Sequence, residues 1–262
     1  MNLSDFHGKT IWLFGGAGYL GASIMRGLDE AGARVICVDL PGRAAEMMKK
    51  LGLQNTLAEE CDILRTEAIS PFCKELTGKY GVPAGAVLLA ATWSTGKSVE
   101  KIGPEDFDRT FRGSVTANFL LAREAAEAMA TAGSGSVVLF SSMYGLVAPD
   151  ARVYNTENAE PLSPNPIDYG AAKASIVQMT KYLAMHYGPR GIRVNCIAPG
   201  PFPSLTVQKE HPDFVRNLQE KTMLRRVGGA GEITGPTLFL LSSGASFVTG
   251  HCLVVDGGWT AW

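Results

Sequence analysis

The sequence lacks the features of a membrane protein and of a nucleic-acid-binding protein. Its longest apolar runs, such as Ala86 to Ala91 and Ser136 to Phe140, have the length of a strand and fall far short of the about 20 residues that a membrane-spanning helix needs. The 24 basic and 25 acidic residues give a net charge of −1, and the basic residues are scattered instead of forming the stripe typical of nucleic-acid binding. We therefore expect no membrane and no nucleic-acid partner.

The sequence also has few cysteines, and its first residues are mostly polar. The cysteines are odd in number and unclustered, with no Cys-x-x-Cys and no histidine pair at metal-ligand spacing, which indicates reduced packing residues and no metal site. The segment Met1 to Gly8 carries acidic and polar residues without the apolar centre of a secretory signal, so we expect a cytoplasmic protein. The cysteines are Cys37, Cys61, Cys73, Cys196 and Cys252.

What the chain does contain is an alternation of short apolar runs and longer amphipathic stretches. This alternation predicts an α/β protein with a Rossmann-type, doubly wound parallel sheet covered on both faces by helices. A chain of 262 residues can build this fold as a single domain, which we assign to residues 1–262. The apolar runs are Thr10 to Phe14, Arg34 to Val38, Ala86 to Ala91, Ser136 to Phe140, Ile192 to Ile197 and Cys252 to Val255; the amphipathic stretches are Tyr19 to Ala31, Arg43 to Leu51, Phe107 to Ala130 and Ile167 to Tyr187.

Two polar segments interrupt the alternation. The segment Asp150 to Asp168 contains three prolines, so we expect an inserted, ordered loop rather than a helix at about 150–168. The segment Leu205 to Arg226 predicts polar helices within a substrate flap at about 202–226. Surface segments of this kind usually carry specificity.

A glycine-rich turn separates the first predicted strand from the first predicted helix. Gly15, Gly18 and Gly21, in Phe14-Gly15-Gly16-Ala17-Gly18-Tyr19-Leu20-Gly21, permit a tight turn and close approach of the backbone to a ligand. The following helix N-terminus offers N–H groups and a positive dipole end to a pyrophosphate. At this place in the chain the turn predicts dinucleotide binding, the alternative being a turn that is only tight.

Carboxylates follow the next two strands. Asp39 ends the second strand, 18 residues after Gly21, where a carboxylate can accept both ribose hydroxyls of NAD and repel the 2′-phosphate of NADP. This favours NAD; a capping role for Asp39 and phosphate pairing by Arg43 are the alternatives. Asp62 follows the third strand and fits either a bond to the adenine amino group or a turn role.

Tyr169 and Lys173 form a candidate acid/base pair. They are four residues apart and share one face of the predicted helix. A fixed positive charge near a phenol lowers its pKa from about 10, which suits proton transfer near neutral pH. Ser142 ends a strand at the edge where such sheets place ligands, and its hydroxyl can hold a substrate oxygen against the phenol. Taken singly, these residues also fit an exposed aromatic, a solvated lysine and a helix cap.

With these motifs in order, the chain resembles the short-chain dehydrogenase/reductases over nearly its whole length. Within that family, Pro199 to Ser204 and the long inserted loop look similar to those of gluconate-dehydrogenase-like and nonulosonate-pathway oxidoreductases. The matching pieces are the glycine turn, Asp39, Asp62, Ser141-Ser142, the run Tyr169-Gly170-Ala171-Ala172-Lys173, Asn195-Cys196-Ile197-Ala198-Pro199-Gly200 and the closing Val254-Val255-Asp256-Gly257-Gly258.

The resemblance implies hydride transfer between a nicotinamide and a carbinol or carbonyl. Tyr169 would donate or accept the proton, Lys173 would lower its pKa and hold the nicotinamide ribose, and Ser142 would orient the substrate oxygen. The resemblance also implies a homotetramer or homodimer. The implied cofactor-binding residues are Gly15, Gly18, Tyr19, Leu20, Gly21, Asp39, Asp62, Ile63, Ala91, Tyr169, Lys173, Pro199, Gly200 and Phe202.

The chain departs from the family pattern at several places. Tyr19 stands where most members have glycine, a spacing that resembles the sugar-nucleotide-modifying branch. Ala90-Ala91-Thr92-Trp93 replaces the usual Asn-Asn-Ala-Gly, and either Ser114 or Asn118 takes the place of the helix asparagine that supports a proton relay. The interval of 27 residues from Ser142 to Tyr169 is well above the family's, because of the inserted loop.

The polar residues of the inserted loop and the charged flap favour a polyhydroxylated small-molecule substrate, such as a sugar or sugar acid. The loop residues are Asn155, Thr156, Glu157, Asn158 and Asp168, and the alternative is that they only solvate a loop. We expect an NAD-dependent alcohol dehydrogenase or carbonyl reductase. The alternatives are a sugar-nucleotide epimerase or dehydratase with tightly bound NAD, and a non-catalytic NAD-sensing protein.

Overall fold

The computed structural model describes residues 6–155 and 162–262. They contain one sheet of seven parallel strands in the order β3-β2-β1-β4-β5-β6-β7, which confirms the predicted doubly wound α/β fold. The strands are β1 (Thr10–Phe14), β2 (Arg34–Asp39), β3 (Thr56–Glu60), β4 (Gly85–Leu88), β5 (Gly135–Phe140), β6 (Ile192–Pro199) and β7 (Cys252–Val255). The helices are α1 (Tyr19–Glu30), α2 (Arg43–Leu51), α3 (Thr66–Tyr80), α4 (Pro104–Phe111), α5 (Ala117–Ala130), α6 (Ala151–Tyr154), α7 (Ile167–Tyr187), α8 (Leu205–Glu210), α9 (Pro212–Lys221) and α10 (Thr234–Leu241).

The strand β1 shows how the sheet is buried on both faces. Trp12 and Phe14 pack into one core cluster with residues of α3, α5 and α7, whereas Ile11 and Leu13 pack into a second cluster with residues of α1 and α10. Successive side chains of a strand point to opposite faces, so an uninterrupted apolar run supplies both cores. This is why the central strands read as continuous apolar runs rather than as alternating patterns.

The predicted and observed elements differ at several places. The fourth strand ends at Leu88, so the residues that follow it are free of the sheet. The predicted helix 107–130 is a continuous path through α4, a π-helical turn (Arg112–Thr116) and α5. The inserted segment contains the one-turn helix α6, and its last two residues already belong to α7. Helix α3 was not predicted, because Pro71 inside it breaks the helical pattern.

The topology creates a crevice at the carboxyl ends of the strands. The strand order runs outward in opposite directions from β1 and β4, and open α/β sheets bind ligands at such a switch point. No helix among the described residues combines the length and apolarity needed to cross a membrane.

Candidate active site

A cleft lies at the carboxyl ends of β1 and β4, in two connected parts. The catalytic part, of about 410 Å³, is lined by Ser142, Tyr169 and Lys173; the distal part, of about 370 Å³, is lined by Asp39 and Asp62. Gly15, Gly18 and Ala91 line both parts, so the two are continuous. A larger depression, of about 660 Å³, lies at the amino ends of the strands, and none of the candidate catalytic residues lines it.

All the predicted catalytic and cofactor-binding residues line this one cleft. The catalytic part holds Gly15, Gly18, Tyr19, Leu20, Gly21, Ser142, Tyr169, Lys173, Pro199, Gly200 and Phe202, and the distal part holds Asp39, Asp62 and Ile63, with Ala91 in both. The structure therefore brings together residues that are far apart in the sequence. Their roles towards a cofactor stay predictions.

The glycine turn has the geometry of a pyrophosphate cradle. Gly15 has φ +83°, and a Cβ there would lie 2.7 Å from the backbone nitrogen of Ala90, so only glycine fits. Gly18 precedes the first turn of α1 and no side chain caps that turn. The uncapped N–H groups of α1 thus lie at the cleft, where they can bind an anion. Together with the two-part cleft, this fits a dinucleotide.

The Asp39 carboxylate is tied to the backbone at the far end of the cleft. Its Oδ2 accepts from the backbone N–H of Ala17 at 3.0 Å, and its Oδ1 accepts from that of Leu40 at 2.9 Å. Arg43, which is half-exposed, forms an ion pair with Oδ1 at 3.1 Å. These bonds orient the carboxylate, which still lines the distal part of the cleft. They do not cap α2, whose N-cap is Gly42 without a side-chain bond.

Asp62 has the turn role that the sequence left open. Its Oδ1 accepts from the backbone N–H of Leu64 at 3.0 Å, two residues ahead, as in an Asx turn. This bond fixes the start of the segment that carries Ile63 into the distal part of the cleft. The bond to an adenine amino group stays a prediction.

Ser142, Tyr169 and Lys173 come together at the start of α7 and the end of β5. The Lys173 ammonium donates to the Phe140 carbonyl oxygen at 2.9 Å and lies 5.8 Å from the centre of the Tyr169 ring. The Ser141 hydroxyl donates to the Lys173 carbonyl oxygen at 2.7 Å, which binds the helix to the strand. Burial lowers the pKa of Lys173 from 10.5 to about 8, because the charged form is disfavoured away from water.

The expectation that Lys173 lowers the pKa of Tyr169 is wrong for this geometry. Burial raises the pKa of the Tyr169 phenol above its usual value, and the neighbouring Ser142 side chain lowers it by less than burial raises it. The reason is that the lysine ammonium is turned to the Phe140 carbonyl. The phenol is therefore held in its protonated form, which suits a proton donor.

The segment that replaces Asn-Asn-Ala-Gly forms one wall of the cleft. Side chains of the neighbouring helical segment bind its backbone. The Asn118 amide donates to the Ala90 carbonyl at 2.9 Å. The Ser114 hydroxyl accepts from the Thr92 N–H at 3.0 Å and donates to the Thr92 carbonyl at 2.6 Å. Both candidates for the relay position thus support this wall. Trp93 is not among the predicted site residues, and its ring meets the Tyr169 ring edge-on at 5.4 Å between centroids.

The inserted segment packs against the flap. The Asn217 amide of α9 donates to the carbonyl oxygens of Val153 and Asn155 at 3.1 and 3.0 Å, and Lys221 forms an ion pair with Asp150 at 2.8 Å. Val153 and Tyr154 share an apolar cluster with Leu218, Tyr144 and Trp259, against which Tyr169 packs. The insertion and the flap therefore form one cover beside Tyr169.

The polar loop residues that were expected to bind substrate lie in different places. Asp168 is fully buried in the first turn of α7, which corrects its assignment to an exposed substrate loop. The helix begins at Ile167, so Asp168 faces the protein interior. Asn155 is exposed next to α6, and Thr156, Glu157 and Asn158 lie outside the described residues.

Within residues 6–155 and 162–262, no group of three histidine, cysteine, aspartate or glutamate side chains could hold a metal ion. All five cysteines are free, and Cys37, Cys73 and Cys196 are buried. The burial of these three side chains fits a packing role.

The chain matches known proteins over nearly its whole length. The family described as enoyl-(acyl carrier protein) reductase matches residues 16–260. The 3-oxoacyl-(acyl-carrier-protein) reductase FabG of Rickettsia typhi is 30% identical over 257 residues, which cover 97% of this chain and 98% of the relative. The probable galactose dehydrogenase GalD of Rhizobium meliloti is 27% identical over 264 residues, which cover 97% of this chain and 96% of the relative.

Solved structures share the fold. A short-chain dehydrogenase from Leptospira borgpetersenii with bound NAD+ has a TM-score of 0.82 at 28% identity and covers 98% of this chain and 95% of its own. A putative gluconate dehydrogenase from Agrobacterium tumefaciens has a TM-score of 0.84 at 25% identity, with 99% and 98% covered.

Proposed function

The chain belongs to the short-chain dehydrogenase/reductase family of oxidoreductases, and we propose that it is an NAD-dependent enzyme that transfers a hydride between the nicotinamide and an alcohol or carbonyl group. The observation that carries the proposal is the convergence of Ser142, Tyr169 and Lys173 in the cleft that also holds the glycine turn. A proton donor, a hydroxyl donor and a cation then meet at one small volume, as acid/base catalysis requires.

The chain's own groups can divide the proton and binding work between them. The Ser142 hydroxyl and the Tyr169 phenol line the same part of the cleft, where both can donate to one substrate oxygen, and Tyr169 moves the proton. Lys173 has three N–H donors and, among the described residues, gives one to the Phe140 carbonyl, which leaves others for ribose hydroxyls. A bound nicotinamide supplies the atom that gives or accepts the hydride.

NAD is proposed over NADP because of Asp39. A carboxylate at the end of β2 accepts ribose hydroxyls and repels a 2′-phosphate, and the bonds from Ala17 and Leu40 fix its oxygens there. If Arg43 left Asp39, it could pair with a 2′-phosphate and favour NADP instead. The preference for NAD or NADP should therefore depend on Asp39 and Arg43, and it can be measured in variants of both.

A sugar or sugar acid is proposed as the substrate. The matches to a probable galactose dehydrogenase and a putative gluconate dehydrogenase support a polyhydroxylated compound. Ser204, which N-caps α8 through a bond to the Val207 N–H, also lines the catalytic part of the cleft and offers a further polar contact. We also propose a homotetramer or homodimer, because Tyr182 and Met185 of α7 are largely exposed apolar side chains that a second copy could cover. A cytoplasmic location is part of the same proposal.

The test is a substrate panel with NAD and NADP, in which reduced cofactor is measured by its absorbance. The panel contains sugars, sugar acids, polyols, a steroid alcohol and a 3-hydroxyacyl thioester. Net NADH formation with sugars or sugar acids is the expected result. Turnover confined to the steroid or thioester would contradict the sugar proposal, and the absence of turnover on the whole panel in both directions would contradict the hydride-transfer proposal.

A further inference from the structure

Asp168, the residue directly before Tyr169, has a site of its own inside the protein. Its side chain is fully buried, and its Oδ2 accepts three hydrogen bonds: from the Ser94 N–H at 3.1 Å, the Ser94 hydroxyl at 2.8 Å and the Thr110 hydroxyl at 2.6 Å. Its Oδ1 has no partner among the described residues. Burying a carboxylate is unfavourable, so three donors that converge on one oxygen indicate a position built for this side chain.

The bonds of Asp168 join two pairs of consecutive residues. Ser94 follows Trp93, and Asp168 precedes Tyr169. The Ser94 and Asp168 side chains are hydrogen-bonded, while the Trp93 and Tyr169 rings touch at 5.4 Å between centroids with 64° between their planes. An edge-to-face contact of this kind is favourable but needs both rings to be held in place. The buried bond and the ring contact therefore fix each other.

The cleft wall formed by residues 90–94 is anchored at every second residue. Ala90 is bound by Asn118, Thr92 by Ser114, and Ser94 by Asp168. The two residues between the anchors, Ala91 and Trp93, line the catalytic part of the cleft. Thr110 belongs to α4, so Asp168 ties three elements together at the catalytic tyrosine.

We propose that Asp168 is a positioning residue that, through Ser94 and Thr110, fixes the Trp93 indole beside the Tyr169 phenol, and that Trp93 is the wall against which the substrate's carbon skeleton packs. This rests on the proposed proton transfer by Tyr169. Trp93 is 44% exposed and lines the cleft, so the indole is open to a ligand. A displacement of about 1 Å at a reacting group can lower the rate about a hundredfold. The hydrogen bonds of Asp168 should therefore affect turnover.

The test uses Thr110, which donates to Asp168 and is not among the residues that line the cleft. Thr110→Val removes one hydroxyl at nearly unchanged shape, and Thr110→Ser restores it. Thr237→Val is the matched control, because Thr237 is also fully buried and donates to a helix carbonyl, that of Ile233, at 2.8 Å. For each variant, kcat and both KM values are measured, together with Trp93 emission and acrylamide quenching, obtained as the difference from the same variant carrying Trp93→Phe.

We expect Thr110→Val to lower kcat about tenfold, to change the KM of NAD less than about twofold and to alter Trp93 emission and quenching. Thr110→Ser restores all three, and Thr237→Val lowers only the melting temperature. Loss of stability in Thr110→Val with unchanged kcat and unchanged Trp93 emission would overturn the proposal. If Thr110→Val does not fold, Ser94→Ala is measured with the same expectations.

The emission readout separates this proposal from the function on which it rests. If the wild-type chain turns over no alcohol or carbonyl substrate, the proposed function fails, yet Trp93 emission still decides whether Asp168 positions the indole. If turnover is present and Thr110→Val leaves the emission of Trp93 unchanged, the proposed function stands and the positioning role is refuted.

Discussion

The ammonium of Lys173 lies 2.9 Å from the carbonyl oxygen of Phe140 and donates to it, so the buried lysine is bound to the end of β5. The pKa of Lys173 falls from 10.5 to about 8 because burial disfavours the charge. Between these two pH values the unfolded chain binds more protons than the folded one, and the contribution of Lys173 to stability therefore rises with pH.

This gives a pH dependence for a Lys173→Met variant. Because the depressed pKa corresponds to about 3 kcal/mol, wild type should gain up to that free energy of unfolding relative to Lys173→Met between neutral pH and about pH 10.5. Urea unfolding of both proteins over this pH range measures the difference. If the difference in free energy of unfolding between the two proteins stays constant with pH, the pKa of Lys173 is not lowered in the folded state.

The two glycines of the cradle should differ in what they affect. A Cβ on Gly21 would lie 2.8 Å from the Gly16 Cα, so Gly21→Ala distorts the turn and lowers stability by about 1–3 kcal/mol. A Cβ on Gly18 would meet the Gly15 carbonyl oxygen at an ordinary 3.4 Å, so Gly18→Ala should fold normally and weaken NADH binding about tenfold by narrowing the cleft. Melting curves and NADH fluorescence titrations distinguish the two; equal effects of both variants would contradict the assignment.

Cofactor preference should depend on Asp39. We expect Asp39→Ser to lower kcat/KM for NAD about tenfold or more and to raise kcat/KM for NADP, because the variant loses a ribose acceptor and frees Arg43 for a 2′-phosphate. Arg43→Ala is the control, since it removes the ion pair but keeps the carboxylate and should still favour NAD. An unchanged NAD-to-NADP ratio in Asp39→Ser would refute the proposed selectivity.

The cover formed by the insertion and the flap should act on substrate binding. Asn217→Leu removes two bonds to the inserted segment, each contributing about 1 kcal/mol, and should raise the substrate KM several-fold while leaving the KM of NAD unchanged. Arg216→Ala on the same helix is the control, because its ion pair with Asp213 stays within the flap. Equal substrate KM values in the two variants would show that the contact between insertion and flap has no part in substrate binding.

The sequence predicted the parts of the protein that follow from local pattern. The apolar run Thr10 to Phe14 fixes a buried strand, and the four-residue spacing of Tyr169 and Lys173 fixes a shared helix face, both of which the structure contains. The glycine turn could likewise be predicted from the residues next to it in the sequence. The predicted contact between the site residues also followed, since the carboxyl ends of parallel strands meet at one edge.

What the sequence did not predict depends on contacts between distant residues. Asp168 was assigned to an exposed loop because prolines precede it, yet its acceptor oxygen binds Ser94, 74 residues away, and Thr110, 58 residues away. The pKa of Tyr169 was misjudged because spacing shows which side chains share a face but not that Lys173 turns to the Phe140 carbonyl. Burial, which raises that pKa, is a property of the folded molecule alone.

The most direct test of the central claim is the turnover of Tyr169→Phe, measured with NAD and the substrate found in the panel, alongside NADH binding. Phenylalanine keeps the ring that meets Trp93 and removes only the phenol oxygen. We predict a fall in kcat of at least about a hundredfold, as expected when a general acid/base is lost, with NADH binding and melting temperature near wild type. Unchanged kcat in this variant would contradict proton transfer by Tyr169.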